Sequence, residues 1–431
     1  MAEQQHEKTR GTATPDRDIR WLFTLGGVTT AAILPFFSPL LQSWGLSPDR
    51  IGLVLSAMAL GTVLAAPAWS HEADTHLGTA RALVWSALAT AVCALFLMPA
   101  SAAMWSIAVA SVAMAAASAP GTALGDALAL SVLGRERADD YGRIRRFASL
   151  GWAVAAIVFG ALYQVVGLWP ILPLYAACLA AYAWWAHRFR TARAPRPAAE
   201  RRSRFGSVGE VLHEAPRFKP FLLGLLLLSV ATSSTDGFVP LRMLGEGGGP
   251  FLIGIAVGLA ALIEIPFFTA SSSLGARFGM RNLFLVGVAI SIMSLFGYSL
   301  AQSPAGVALF RALSGAGFGL KYGALVVLTG RLVPDRLRNT GQTLMQLAHW
   351  SLGPVIGPAI GGFVYVALGP PSLFAGAAVV AIGGAVLAWW ALRDVGDGDA
   401  SSPHERSEHA QAGGDTDDPQ HVHPEPPQRD R

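Results

Sequence analysis

The chain has 431 residues, 52% of them hydrophobic and only 14% charged, with a formal net charge of +4. That balance leaves too little charged surface for a set of soluble domains, and the basic residues are not gathered on one face, which excludes a nucleic-acid partner. A bilayer suits it better: hydrocarbon about 30 Å thick takes roughly 20 apolar residues per helical span, and such runs recur along the whole chain.

Residues 1–20 are polar, with no apolar core before Trp21, so no cleavable signal is expected and the first span serves as an uncleaved one. The apolar runs then predict spans at 21–43, 51–70, 82–100, 103–131, 146–167 and 169–187. After a break they continue at 220–241, 251–272, 282–301, 305–329, 342–367 and 371–392. A membrane barrel shows roughly 10-residue segments of alternating polarity, whereas these runs are longer and apolar on every face. The expected fold class is an all-α membrane protein of about twelve spans.

Residues 188–219 carry nine Lys or Arg among Pro, Gly and Ser and divide the spans six and six, which predicts bundles at 21–187 and 220–392 joined by a basic linker. Clustered basic residues beside a membrane also attract anionic lipid, by about 1 kcal/mol each. Residues 393–431 turn to Asp, Glu, His, Pro, Gly and Ser and cannot bury enough apolar surface to fold. The irregular spacing of His404, His409, His421 and His423 there fits a solvated tail better than a metal site. Cys93 and Cys178 sit singly in apolar runs and read as small core residues.

Charge sets the expected orientation. The connections from even to odd spans hold twenty Lys or Arg, and those from odd to even only Arg50 and Arg242. Positive charge stays on the cytoplasmic side, so both termini and the linker are expected in the cytoplasm, with the chain multi-pass in the cytoplasmic (inner) membrane.

An ionisable side chain in mid-membrane costs at least about 2.5–3.5 kcal/mol on insertion scales, so each needs a partner or a function. Asp236, Glu264, Arg311 and Lys321, with His349 beside them, all fall in the second half. At about 1.5 Å per residue, Asp236 and Arg311 lie roughly 8–9 Å from the outer edge, and Glu264 and Lys321 roughly 20–24 Å. Depth therefore predicts two ion pairs. In the first, two helices are tied together; in the second, Glu264 exchanges a proton while Lys321 stabilises its ionised form, or the pair only locks helices. His349 either titrates, binds substrate, or is a hydrogen-bonded interior histidine. Asp126 near the inner end of the fourth span can meet Arg143, Arg145 and Arg146 at the start of the fifth, as a gate, a clamp or a substrate contact.

The eleventh span carries Gly353, Gly357 and Gly361 four apart on one face, where another backbone can approach closely. Pro354 and Pro358 each remove a ladder bond. A hinge or a tight helix contact is expected. The run of hydroxyl residues Ser229 to Thr235 makes the seventh span the most polar.

The connections WSHEADTHLGTAR and SSSLGARFGMRN repeat a small residue, an acid or its substitute, a Gly and an Arg. They resemble the cytoplasmic signature G-x-L-x-D-R-x-G-R of the major facilitator superfamily. Asp74, Gly78 and Arg81 stand near the positions of the first copy, and Arg277, Gly279 and Arg281 carry the second, with Ala276 where the acid would be. With GLSPDRIGLVLS, DALAL, DYGRIRRFASLGWA and RLVPDRLRNTGQTL, the chain is similar to the phenylpropionate permease-like branch, near lactose permease and nucleoside:proton symporters, over residues 20 to 392.

The resemblance implies a secondary carrier in which two six-helix bundles rock about a central site, and many such carriers are proton-coupled. It implies a small-molecule substrate, protons and membrane lipids as partners, a monomer, no cofactor and no enzymatic activity. In it Asp74, Arg81, Arg277 and Arg281 clamp helix ends on the cytoplasmic side. The string SLGPVIGPAIGG fits the pattern of drug:proton antiporters, which carry it in the fifth span rather than the eleventh, so an efflux antiporter is the alternative. No G-x-x-x-x-G-K-S/T loop provides for ATP coupling, and the clustered nucleophile, His and acid of a membrane enzyme, or the attached domain of a sensor, is not visible. His71 and His76 of HEADTH are five apart and diverge by roughly 140° on a helix, which rules out a zinc-protease reading.

Overall fold

The computed structural model describes residues 14–98, 103–134, 137, 140–189 and 206–393. The tail beyond residue 393 with its four histidines, residues 1–13, and 190–205 of the linker lie outside the described residues. Among the described residues there is no strand, and twelve helices follow the apolar runs. They are α1 (Asp16–Ser43), α2 (Pro48–Leu77), α3 (Thr79–Leu97), α4 (Met104–Leu133) and α5 (Tyr141–Val166). Then come α6 (Ile171–Ala186), α7 (Phe218–Gly245), α8 (Pro250–Phe278), α9 (Met280–Leu300), α10 (Pro304–Leu332), α11 (Asp335–Leu368) and α12 (Pro370–Leu392).

Eleven of these are long and apolar enough to cross a membrane. The exception is α6, with 16 residues, about 24 Å of helix, because Trp169 and Pro170 go into the turn ahead of it. At the other extreme, α5 starts five residues before the expected 146, so Arg143, Arg145 and Arg146 lie on the helix itself.

Several helices break where proline withdraws an amide hydrogen. A 3-10 turn at Leu34–Phe36 interrupts α1 around Pro35, and α7 breaks between Asp236 and Val239, ahead of Pro240. Residues Ala119 and Pro120 interrupt α4. The breaks in the first and seventh spans occupy corresponding positions in the two halves. So do Gly78 and Gly279, which open α3 and follow α8 at φ 76° and 85°, a backbone region that glycine enters without steric penalty. The faint repeat in sequence thus has a backbone counterpart.

Lipid tails are as apolar as leucine, so helices in a bilayer associate through close packing of small residues rather than through burial of oily ones. Within the first half α1 packs on α5 and α3 on α6; within the second, α10 packs on both α8 and α9, and α7 on α12. Gly27 lies on the Ala148 carbonyl and Gly315 on the Ala260 carbonyl, with no room for a Cβ.

Two helix pairs carry most of the contact between the halves, α5 with α8 and α2 with α11. Both meet toward one end. Gly160 of α5 lies against Pro250 and Gly254 of α8, Gly52 of α2 against Pro358 and Gly362 of α11, and Gly237 of α7 against Leu55 and Ser38. Polar links reinforce the seal: the Phe251 amide donates to Gln164 at 3.3 Å, and the Ala359 amide to Ser56 at 2.9 Å. Toward the other end, which carries the start of α1 and the end of α12, most side chains from 262 to 278 of α8 and from 64 to 72 of α2 are exposed or half-buried. The bundle is closed at one end and open at the other.

At the open end the linker contributes a short helix, Gly206–Glu214. Arg336, at the start of α11, forks to both Glu210 and Glu214. These acids are four apart and share a helix face, so one guanidinium reaches both.

Candidate functional site

The expected partner of Asp236 is in place: Arg311 Nη1 lies 3.0 Å from Asp236 Oδ1. The side chain of Asp236 is 57% exposed, although its neighbour Gly237 is packed into the seal. Open space therefore reaches this pair beside the seal.

Asp126 and Arg145 also meet, with Arg145 Nη1 2.5 Å from Asp126 Oδ2 and 2.6 Å from the Tyr141 hydroxyl. Tyr141 stands one turn before Arg145 on α5 and orients it, a contact that the i, i+4 spacing makes readable in sequence. Arg143 takes no part in this cluster; it points outward and reaches Asp140 at 3.7 Å.

The expected pair of Glu264 and Lys321 is not formed. Gly315, Gly319 and Gly323 of α10 lie against Ala260, Glu264 and Ser271 of α8, which fixes the α10 face that meets α8. Lys321, two residues from both Gly319 and Gly323, is rotated about 200° from them and packs against Gly287 of α9. Depth matched; azimuth did not. Lys321 is buried, has no carboxylate within 4 Å among the described residues, and has the Phe318 ring 6.0 Å from its ammonium. His349 is buried nearby in the six-residue π-helical turn Leu347–Leu352, its ring edge-on to Trp350 at 4.9 Å and its Nδ1 without a hydrogen-bond partner. Ser229 of α7 donates to its backbone carbonyl.

The cations that act electrostatically on the Glu264 carboxylate are instead Arg145 of the first half and Arg311 of the second. Neither is within ion-pair distance of it, and each already holds an aspartate. Asp126, Arg145, Glu264, Arg311 and Asp236 therefore form a set of opposed charges drawn from both halves. Sequence inspection isolated every member except the crossing from Arg145 to Glu264, which depends on how α5 packs on α8.

The glycines of α11 line α7: Gly353 meets Ser229, Gly357 meets Ser233 and Ser234, and Gly361 meets Ser234 and Phe238. The polar run of α7 is thus largely a helix contact, and its hydroxyls bond back to their own turn, Thr232 to Leu228 and Thr235 to Thr232. Pro354 opens the last segment of α11 and Pro358 lies inside it, with the Pro358 carbonyl turned to Gly52.

Of the residues singled out by the repeated connection, Asp74 is exposed on the π turn Ala73–Leu77. Arg281 donates to the Arg393 carbonyl at 3.3 Å and so ties α9 to the end of α12. Arg277 lies over the Phe278 ring at 5.2 Å. Arg81 borders a groove between α3 and α6.

A helical bundle that crosses the membrane many times, sealed at one end and lined with opposed charges between its halves, is the build of a solute carrier. The chain belongs to the MFS_1 like family, whose pattern it matches over residues 21–375, and it is a major facilitator transporter of small solutes. It is 29% identical to the maltose permease of Geobacillus stearothermophilus over 336 residues, 77% of this chain and 83% of that one. A partial likeness, 28% over 179 residues and 42% of the relative, links it to the multidrug resistance protein MdtG of Salmonella newport. Among solved structures, the nucleoside transporter NupG superposes with a TM-score of 0.72 at 16% identity, covering 88% of this chain and 98% of that one. A bacterial homologue of the human lysosomal transporter Spinster, inward-facing and unoccupied, gives 0.66 at 16% identity, covering 90% and 98%.

Proposed function

We propose that the protein is a proton-coupled carrier of a small polar organic solute in the cytoplasmic membrane, working as a monomer by alternating access. The observation that carries this reading is Glu264, outside ion-pair distance of any cation among the described residues, with Arg145 of one half and Arg311 of the other acting on it electrostatically. A carboxyl in a site of low polarity is held neutral by desolvation and ionised by nearby cations. Small movements of the two arginines therefore decide whether Glu264 keeps its proton. Arg145 belongs to one half and Arg311 to the other, so rocking the halves changes that balance in each cycle. Arg145 and Arg311 thus take the role that depth alone would give to Lys321.

Asp126, Arg145 with Tyr141, and Glu264 supply the acceptors and donors that a polyhydroxylated solute can use. The relatives named for maltose and for nucleosides make sugars and nucleosides the first compounds to try. With both termini in the cytoplasm, as the charge bias favours, the state described here opens inward. The glycines and prolines of α11 serve as the hinge against α7 and α2, and Asp74, Arg81, Arg277 and Arg281 support helix ends on the cytoplasmic side.

The test is uptake into proteoliposomes under an imposed pH gradient, with and without a protonophore. Accumulation of a sugar or nucleoside that collapses with the gradient supports symport. Expulsion of a drug against its gradient supports the efflux alternative, for which the partial likeness to a multidrug resistance protein is the one favouring observation. Transport indifferent to the gradient overturns the proton-coupled reading.

A further inference from the structure

The groove between α3 and α6 has a volume of about 330 Å³ and is lined by Ala80, Arg81, Val84, Trp85 and His187. It lies apart from the opposed charges of Asp126, Arg145, Glu264, Arg311 and Asp236. Its surroundings show where it sits in the bilayer. Along α3, Trp85, Val92 and Phe96 are 57%, 51% and 67% exposed, and on α6 Trp184 is 64% exposed. Large apolar side chains in such numbers on the outer surface face lipid. Arg81 precedes Trp85 by one turn on α3, and Arg188 follows Trp184 by one turn at the end of α6. Both arginines therefore stand at the open end of the bundle, just beyond a pair of tryptophans, and tryptophan concentrates at the level of the lipid headgroups.

Two antiparallel helices thus present the same order from bilayer to water, an exposed tryptophan and then an arginine; Arg81 and Trp85 line the groove themselves, and from the second helix His187, next to Arg188, lines it. Arg188 is held there by the rings of Trp184 and Trp185, at 4.6 and 4.2 Å from its guanidinium carbon. Such stacking leaves the edge of the guanidinium, where its donors lie, available to a further partner. Neither Arg81 nor Arg188 has a carboxylate within 4 Å among the described residues, and His187, adjacent to Arg188 in the chain, lines the groove with Arg81. Ala80 keeps the groove open at its mouth, and Val84 and Trp85 continue it toward the apolar zone.

We propose that this groove is a binding site for the headgroup of an anionic phospholipid. Its phosphodiester lies between Arg81 and Arg188, whose forked donors match phosphate oxygens, and its acyl chain runs down α3 over Val84 and Trp85. The absence of a headgroup cation distinguishes such a lipid from a zwitterionic one, whose own cation would be brought up against two guanidinium groups.

The experiment is native mass spectrometry of the intact chain, released from detergent carrying equal amounts of phosphatidylglycerol and phosphatidylcholine. The expected result is preferential retention of phosphatidylglycerol, reduced at least fivefold by the double substitution Arg81→Gln with Arg188→Gln. The control Arg143→Gln with Arg146→Gln removes the same charge from the open end away from the groove and should leave the preference intact. Equal loss in both variants would mean diffuse surface attraction and would overturn the site, as would absence of any preference in the unaltered chain. Should the groove variant fail to fold, phosphatidylglycerol brominated on its acyl chains is added to unaltered protein and to Trp85→Phe. Quenching that is smaller in Trp85→Phe supports the site, and equal quenching refutes it.

Discussion

Replacing Gly254 by leucine should force the sealed end open. Gly254 sits where α8 crosses α5. A Cβ there would run into the Ala156 carbonyl and lie 3.1 Å from the Cα of Gly160. Both obstacles are backbone, so no rotamer change relieves them and the helices must separate. Overpacking of this kind costs about 1–3 kcal/mol. The contact exists only while this end is closed, so the whole penalty falls on one state of the carrier. A carrier's states differ by only a few kcal/mol, and a bias of this size moves the ratio by about 5- to 150-fold toward the state open at the opposite end. The assay is a spin-label distance between cysteines placed at Trp169 and Leu300, exposed positions at the sealed end of either half, with Cys93 and Cys178 replaced by serine. The distribution should lengthen in Gly254→Leu, and transport should fall. An unchanged distribution in folded, inserted protein would refute the view that these glycine contacts hold the end shut.

Glu264→Gln should abolish the dependence of transport on a pH gradient while leaving the protein folded; unaltered proton dependence in vesicles removes Glu264 from the coupling step. Asp236→Asn strands Arg311, and because the pair is partly solvated the loss should be about 1–2 kcal/mol, below the 3–5 typical of a fully buried pair. It should appear as a lower melting temperature in detergent and be partly restored by adding Arg311→Gln. Arg336→Gln releases both ion pairs to the linker helix, and limited proteolysis between residues 206 and 214 should then proceed several-fold faster. Lys321→Met should be tolerated for stability better than Arg311→Met, since Lys321 has no acid to strand; the opposite order of melting temperatures would contradict the packing of Lys321 on α9.

The spans were legible in sequence because hydropathy over 20 residues is a strong signal, and depth along a helix was legible because it needs only a count. That was enough to bring Asp236 to Arg311 and Asp126 to Arg145. It failed for Glu264 and Lys321, which share a depth but not a direction, since the face that α10 turns to α8 is set by Gly315, Gly319 and Gly323 making room for another backbone. Those glycines are visible in sequence, and a reading of α10 by face would have sent Lys321 the other way. The crossing from Arg145 to Glu264 is different in kind. It spans 119 positions and arises only from the meeting of the halves. The breaks at Pro35 and Pro240 were also within reach, as prolines ending an apolar run.

The open space that reaches Asp236 has an electrical consequence. Water conducts, so a membrane potential does not fall evenly across a protein that holds an aqueous recess; it concentrates across whatever thin partition remains. Here that partition is the layer of glycine contacts around Gly52, Gly160, Gly237 and Gly254. An elementary charge crossing the full potential exchanges about 2.3 kcal/mol per 100 mV, and nearly all of that would be felt within this layer. A proton reaching Glu264 from the open side would sense almost none of the voltage, and the rocking of the halves, by moving the partition past it, would do the electrical work.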